Sequence, residues 1–185
     1  MNWVDWIALL FGVLGVILTI LESIWCWPLA LISVSIQSYT FYHAHLFGDF
    51  SLQIFYFFSG IYGWMYWNKN KLKPFEVLSI PKKIWLLIIA SEVVLTCVLY
   101  LILSYFKSDQ IFLDSILTAA SLICTYLMTK KWVENWLLWI IIDLTYVYLY
   151  IIKQLPTYAL LYVFFSLMAC YGFYTWRKKL KKLPY

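Results

Sequence analysis

The segment Glu134-Asn135-Trp136-Leu137-Leu138-Trp139 opens an apolar run that reaches Ile152 and is long enough to cross a lipid bilayer. Such a run is expected to contain mainly Leu, Ile and Val, because each polar group buried in lipid costs free energy. This run instead carries Asn135, Trp139 and Asp143 at spacings of four, which places them along one side of a helix. An amide, an aromatic ring and a carboxylate on one side predict half of a binding site for a small solute.

The composition around this segment is that of an integral membrane protein. Of the 185 residues, 64% are hydrophobic and only 12% are charged, whereas about a quarter of the residues of a soluble domain are charged. A net charge of +5 would suggest nucleic-acid binding in a soluble protein. Here the cations lie between the apolar runs, so we expect no nucleic-acid partner.

Seven apolar runs have lengths near the roughly 20 residues that a membrane-spanning helix needs. No run contains Lys or Arg. The sequence therefore predicts an all-α membrane protein with seven transmembrane helices. The predicted helices cover residues 3–21, 24–42, 50–67, 84–106, 111–128, 134–152 and 157–176.

The Lys and Arg residues predict the orientation of these helices. With seven spans, all cations except Lys107 and Lys153 fall on one side of the membrane. Because cytoplasmic loops carry an excess of Lys and Arg, the N-terminus is predicted outside and the C-terminus in the cytoplasm. The basic tail, residues 177–182, is interpreted as a stop-transfer signal, and contact with anionic membrane lipid is the alternative.

An internal repeat is visible when the chain is shifted by 109 residues. Twelve of the 52 positions from 18 to 69 are then identical to their counterparts. The identical pairs include Trp27 with Trp136, Gly63 with Gly172 and Trp67 with Trp176. The repeat unit is three helices, and one odd linker helix between the units makes the two repeats parallel, as in the SWEET sugar carriers. The predicted segments are a first repeat over 1–68, a cytoplasmic loop and linker helix over 69–110, and a second repeat with the basic tail over 111–185.

Asp143 is a functional candidate, because it lies near the middle of its run and an ionisable residue at that depth is a functional candidate by default. A carboxylate beside Trp rings suits an organic cation. The alternative is that Asp143 forms a hydrogen bond with a neighbouring helix and stabilises the bundle. The predicted substrate-binding residues are Asn135, Trp136, Trp139, Asp143, Gln37 and Gln53.

Most of the other tryptophans lie near the ends of the apolar runs, where aromatic belts form at the membrane surface. Belt positions are predicted for Trp3, Trp6, Trp25, Trp27, Trp64, Trp67, Trp85, Trp132, Trp136 and Trp176. Trp139 is separated from this group because it lies more than one turn inside its run.

Several chemical signatures are missing from the sequence. It contains no Gly-rich phosphate loop, no cluster with metal-ligand spacing and no nucleophile motif of a hydrolase. We therefore expect no enzymatic activity, no cofactor and no bound metal. A membrane enzyme or a scaffold that does not transport is the alternative of a different class.

The chain resembles the PnuC-type nicotinamide riboside transporters. The resemblance covers nearly the whole chain and is strongest over 24–29, 52–67 and 134–143. Residues 160–162 and 171–176 fit the family as well. It implies a three-plus-one-plus-three arrangement of helices, a homotrimer, and facilitated diffusion of nicotinamide riboside followed by trapping through intracellular phosphorylation. It also implies that Asn135 and Trp139 contact the ligand, with Gln53 as a third contact.

The resemblance leaves a second substrate open, because relatives of this family carry thiamine. Both vitamins bear an aromatic cation, so Trp139 and Asp143 suit either one. The sequence thus predicts a multi-pass transporter in a bacterial inner (plasma) membrane. The expected mechanism is alternating access, in which the two three-helix sets rock around a site near the midplane.

Overall fold

The computed structural model describes residues 3–43, 47–70, 76–105, 111–152 and 156–180. Within these ranges the chain forms seven α-helices, so the predicted all-α class is confirmed. They are α1 (Trp3–Ile20), α2 (Cys26–His43), α3 (Phe47–Lys69), α4 (Lys82–Tyr105), α5 (Ile111–Thr129), α6 (Asn135–Ile152) and α7 (Pro156–Lys179). Every helix agrees with a predicted run to within three residues at each end.

Four of the described helices are long and apolar enough to cross a membrane. They are α4, α5, α6 and the Ala159–Lys179 part of α7. The helices α2 and α3 are 18 and 23 residues long but carry more polar side chains, among them Gln37 and Gln53. Polar side chains inside a membrane bundle are tolerated where they face neighbouring helices.

The chain divides into two compact units, Met1–Phe75 and Glu76–Tyr185. In the first unit, α2 packs against both α1 and α3. In the second unit, α5 packs against α4 and α6, and α6 packs against α7. The middle helix of each set of three thus contacts both of its neighbours.

The turns before α2 and α6 have the same backbone geometry. Glu22 and Lys131, which are 109 positions apart, are the two described non-glycine residues with positive φ, at 58° and 52°. The next amide donates to the carbonyl five residues back in both turns, at 2.8 Å from Ser23 to Leu18 and 3.1 Å from Trp132 to Leu127. This is the Schellman pattern that ends a helix.

A second match lies in the packing of four tryptophans. In the first unit, Trp27 and Trp67 meet edge to face, with ring centroids 5.5 Å apart and planes at 88°. In the second unit, Trp136 and Trp176 do the same at 5.3 Å and 87°. A glycine lies against each inner ring: a Cβ on Gly63 would come within 2.3 Å of Trp27.

The same holds for Gly172, where an added Cβ would lie 2.7 Å from the ring of Trp136. We call these two groups the first and second Trp–Gly–Trp locks. The first consists of Trp27, Gly63 and Trp67, and the second of Trp136, Gly172 and Trp176. Each lock fastens the start of the middle helix to the end of the helix that follows it.

The prediction that most tryptophans form a belt at the membrane surface is wrong for the four tryptophans of the locks. Trp27, Trp67, Trp136 and Trp176 are buried between helices instead of lying at the membrane surface. An edge-to-face pair adds about 0.5–1.5 kcal/mol beyond the burial of its area, which favours this packing. Trp25, which is 66% exposed, has the exposure that a belt residue needs.

Candidate functional site

The first turn of α6 is set by the turn that precedes it. After the left-handed residue Lys131, the amide of Asn135 donates to the carbonyl of Trp132 at 3.1 Å. The amide of Trp136 donates to the carbonyl of Val133 at 3.2 Å. These bonds start the helix at Asn135, so the predicted motif occupies its first turns and the side chain of Asn135 lies beside the turn.

Asn135 is completely buried, at 0% exposure. Its Nδ2 donates to the carbonyl of Trp132 at 2.6 Å. Its Oδ1 is also buried and has no hydrogen-bond partner among the described residues. An unsatisfied buried acceptor costs about 1–3 kcal/mol, so this oxygen is a high-energy group that a donor would stabilise.

Trp136 points from α6 toward α7. Its ring covers Gly172 and meets the ring of Trp176, as described for the second lock. Its Nε1 is buried and finds no hydrogen-bond partner within the ranges that the structure describes. Trp136 therefore has a packing function in this structure and, in addition, a free buried donor one residue away from the free acceptor of Asn135.

Trp139 lies on the side of α6 that faces α5. It is partly buried and packs against a core cluster formed by Leu117 and Cys124 of α5 with Ile142 and Leu149 of α6. The indole is thus held between two helices.

Asp143 lies one turn further along α6 and is 6% exposed. Its carboxylate forms no hydrogen bond with any residue in the described ranges. It acts electrostatically on the thiol of Cys124, as does the carboxylate of Glu92 in α4.

The structure places the predicted stripe on the inner side of α6. Asn135 and Asp143 are buried and Trp139 is partly buried, while the exposed side of the same helix carries Ile141 and Leu144. The polar groups of the stripe thus face protein, and the exposed residues of α6 are Leu, Ile and Tyr side chains. The apolar side fits contact with lipid.

Gln37 has partners within the first unit. Its Nε2 donates to Oγ of Ser33 at 3.0 Å, and Ser33 in turn donates to the carbonyl of Ala8 at 2.8 Å. This chain of bonds ties α2 to α1, which gives Gln37 a structural function.

Gln53 of α3 is buried and, among the described residues, has no hydrogen-bond partner. Its amide is therefore available to another group.

An aromatic cluster near the far end of α6 was not predicted. The ring of Tyr162 in α7 lies 4.7 Å from Tyr146 and 5.4 Å from Tyr150, centroid to centroid. Tyr146 also packs against the core cluster that holds Trp139. The spacing of 139, 143 and 146 along one helix would have indicated this aromatic continuation of the stripe.

Within the described ranges, no group of three His, Cys, Asp or Glu side chains is arranged to hold a metal ion. The stripe offers groups that can bind a solute: an amide oxygen and an indole N–H that have no hydrogen-bond partner among the described residues, a carboxylate and aromatic faces.

Comparison with known proteins gives consistent results. The model of the family described as nicotinamide mononucleotide transporter matches residues 2–178. The nicotinamide riboside transporter PnuC of Escherichia coli (strain K12) is 27% identical over 205 residues, which cover 95% of this chain and 85% of that protein. The riboflavin/roseoflavin transporter RibM of Streptomyces davaonensis is 24% identical over 181 residues, covering 94% of this chain and 84% of that protein.

A solved structure is also similar. The crystal structure of the vitamin B3 transporter PnuC superimposes with a TM-score of 0.77 at 26% sequence identity. The match covers 95% of this chain and 81% of that chain. The likeness therefore extends over the whole helical arrangement and is not confined to one motif.

Proposed function

This chain belongs to the nicotinamide mononucleotide transporter family, and from that membership we propose that it carries nicotinamide riboside across the membrane. It is a multi-pass membrane protein and a transporter, not an enzyme. The PnuC relative and the PnuC structure support nicotinamide riboside as the substrate. The name of RibM makes riboflavin a competitor to test beside thiamine.

The buried stripe on α6 is the observation that carries the proposed site. Nicotinamide riboside offers hydroxyl and amide donors, and the free Oδ1 of Asn135 needs a donor. The positively charged pyridinium ring suits the face of Trp139 and the carboxylate of Asp143. Trp136 contributes its free indole N–H. Since Asn135 is fully covered in this structure, ligand entry requires the side chains around it to move.

The structure supports Gln53 and Gln37 to different degrees as proposed contacts of the ligand. Gln53 is buried with no hydrogen-bond partner among the described residues, which favours it as a third ligand contact. Gln37 already donates one N–H to Ser33, which leaves its Oε1 and its second N–H for a ligand. We therefore place Gln53 in the substrate site before Gln37.

The proposed mechanism is facilitated diffusion by alternating access, with phosphorylation trapping the product in the cytoplasm. In it, seven transmembrane helices form two parallel three-helix repeats joined by α4, in a SWEET-like arrangement with segments 1–68, 69–110 and 111–185. The matched turns at Glu22 and Lys131 and the two Trp–Gly–Trp locks support this arrangement. Each lock stiffens its own helix set, as rocking of rigid sets requires.

Transport in proteoliposomes tests the function. We expect saturable uptake of radiolabelled nicotinamide riboside, with little competition from an excess of unlabelled thiamine or riboflavin. An imposed pH gradient should not drive accumulation, because no Lys or Arg lies in the predicted spans to partner Asp143 in a proton relay. Saturable flux of thiamine or riboflavin without flux of nicotinamide riboside would overturn the substrate. Accumulation against a gradient would overturn the uncoupled mechanism.

The proposed orientation places the N-terminus outside and the C-terminus in the cytoplasm of a bacterial inner membrane. The exposed cations Lys178 and Lys179 at the end of α7 support a cytoplasmic tail, where they can meet anionic lipid. A cysteine introduced in the tail should resist a membrane-impermeant thiol reagent added to intact cells.

The proposed assembly is a homotrimer. Helix α4 has no buried residue and exposes a wide apolar surface, including Leu86 and Leu101, which leaves room for lipid or for another copy. Light scattering in detergent should give a protein mass of three times 22.1 kDa, and a monomer mass would reject the trimer.

A further inference from the structure

A short segment before α4 is bound to the turn before α6. Residues 77–80, which we call the strap, run beside residues 131–134, and Leu78 and Trp132 form a parallel bridge. The amide of Leu78 donates to the carbonyl of Lys131 at 3.1 Å. The amide of Val133 donates to the carbonyl of Leu78 at 2.9 Å. The strap and the turn therefore hold each other through backbone bonds.

Glu134 adds a second connection through its side chain. Its carboxylate accepts hydrogen bonds from the hydroxyl of Ser79 and from the amide of Ile80, the latter at 3.0 Å. Bonds to an ionised carboxylate are stronger than neutral ones. The carbonyl of Glu134 also accepts from the amide of Leu137 at 3.1 Å, so this residue, which immediately precedes α6, caps its first turn. Glu134 thus joins the strap to the first turn of α6.

The strap is connected to the amide of Asn135 through Trp132, whose two neighbours in the chain, Lys131 and Val133, form the backbone bonds to Leu78. The carbonyl of Trp132, the residue that pairs with Leu78, accepts the Nδ2 of Asn135 at 2.6 Å. That bond fixes the orientation of the Asn135 amide. If the amide were flipped, its Oδ1 would face the carbonyl oxygen of Trp132, and two acceptors would repel each other. The free Oδ1 of Asn135 is therefore oriented by the turn that the strap holds.

The first unit shows that this turn does not need a carboxylate to fold. Position 25 corresponds to 134 under the shift of 109 and carries the exposed Trp25. The backbone bonds of the two turns still correspond, except that Leu137 donates to Glu134 whereas its counterpart Pro28 has no amide hydrogen. The amide of Leu29 donates to the carbonyl of Trp25 at 3.3 Å, and the amide of Leu138 donates to that of Glu134 at 3.3 Å. The carboxylate is thus additional to the fold of the turn.

The strap also remains anchored without Glu134. Ile80 is buried in a core cluster with Ile123 and Leu127 of α5, and both backbone bonds of the bridge are independent of the carboxylate. Removing the carboxylate should therefore make the position of the turn relative to the strap less well fixed. The strap should stay bound, and the unit should stay folded.

We propose that Glu134 is a positioning residue for substrate binding: by fixing the strap to the turn before α6, it holds the amide of Asn135 in the orientation that recognises the ligand. This rests on the proposed function, because it takes Asn135 to be a ligand contact. It extends the substrate site to residues that touch no ligand, namely Glu134 and Ser79.

A double-mutant cycle tests the proposal. Nicotinamide riboside binding to the purified protein is measured by calorimetry for the wild type, Glu134→Ala, Asn135→Ala and the double variant. We expect Glu134→Ala to weaken binding on the order of tenfold. The same change made in the Asn135→Ala background should have almost no further effect. Melting temperatures without ligand should stay close to that of the wild type.

Two further variants keep the test decisive if Glu134→Ala is not recovered in folded form. Glu134→Gln keeps one acceptor oxygen, and Ser79→Ala removes one donor, so both should show smaller losses that also vanish in the Asn135→Ala background. Trp25→Ala, at the corresponding position of the first unit, is the matched control and should leave affinity unchanged.

The outcomes separate this inference from the function. Additive losses from Glu134→Ala and Asn135→Ala overturn the positioning role while the substrate site stands. Wild-type affinity in Asn135→Ala overturns both the positioning role and Asn135 as a ligand contact. Nicotinamide riboside transport in proteoliposomes would then still decide the function on its own.

Discussion

Gly63→Ala is expected to abolish the folded protein, or to leave only a small fraction of it after detergent extraction. The added Cβ would lie 2.3–2.5 Å from three carbons of the Trp27 ring, closer than any real contact. Trp27 cannot move aside, because its ring is buried and meets Trp67 edge to face. Overpacking of a core costs about 1–3 kcal/mol, and more where the neighbours are rigid. Fluorescence-detected size-exclusion chromatography measures the folded fraction.

Two other Gly→Ala variants provide an intermediate case and a control for this prediction. Gly172→Ala places its Cβ 2.7 Å from the ring of Trp136, so a large but smaller loss is expected. Gly15→Ala is the matched control, since its Cβ would meet no atom nearer than 3.6 Å. Alanine is favoured over glycine inside a helix by about 1 kcal/mol, so this variant should melt at or above the wild-type temperature. A Gly63→Ala protein that melts like the Gly15→Ala protein would contradict the lock.

Trp139→Ala is expected to weaken nicotinamide riboside binding by tenfold or more. The indole face supplies the cation–π contact to the pyridinium ring, worth about 2 kcal/mol or more in a desolvated site. Loss of the ring also removes the apolar wall beside Asp143. Calorimetry should show an affinity at least tenfold weaker, on the order expected from that energy.

Folding must be separated from binding in this experiment, because Trp139 packs against the cluster of Leu117, Cys124, Ile142 and Leu149. Truncating a buried Trp to Ala costs about 3–5 kcal/mol through the cavity it leaves. Trp139→Phe keeps most of that packing and should retain weakened binding at a nearly normal melting temperature. Trp25→Ala is the matched tryptophan control. Unchanged affinity in a folded Trp139→Ala protein would remove Trp139 from the site.

The helices could be predicted from sequence because lipid imposes a simple rule. A backbone in hydrocarbon must satisfy its own hydrogen bonds, so every span is a long apolar helix bounded by charged or turn residues. The start of α6 and its inward polar stripe followed from the same rule, since Asn135 and Asp143 are too polar to face lipid. Their burial in the structure has this cause.

The tryptophan positions could not be predicted in this way. Hydropathy has the same value whether an indole faces lipid, the membrane surface or another helix, so Trp27 and Trp176 looked like belt residues. The repeat contained the missing information. Each of the four lock tryptophans is matched by a tryptophan 109 positions away, whereas the exposed Trp25 and Trp64 are matched by Glu134 and Phe173.

The strap had no signal in the sequence. Its bond from Ile80 to Glu134 joins positions 54 residues apart, and a single bridge between two loops has no periodicity to detect. The two matching turns before α2 and α6 could not be predicted from sequence either, because Glu22 and Lys131 are not residues that favour a left-handed backbone. Such contacts depend on how helices pack, which local sequence does not encode.

The turns before α2 and α6 also show how one shape can serve two purposes. Both have the same backbone, yet the first ends in Trp25 and Cys26 where the second ends in Glu134 and Asn135. Because the turn folds with either pair of side chains, these side chains can differ in chemistry while the backbone stays the same. A transporter built on this plan could acquire a new cargo by altering a few side chains in one half while the other half preserves the frame.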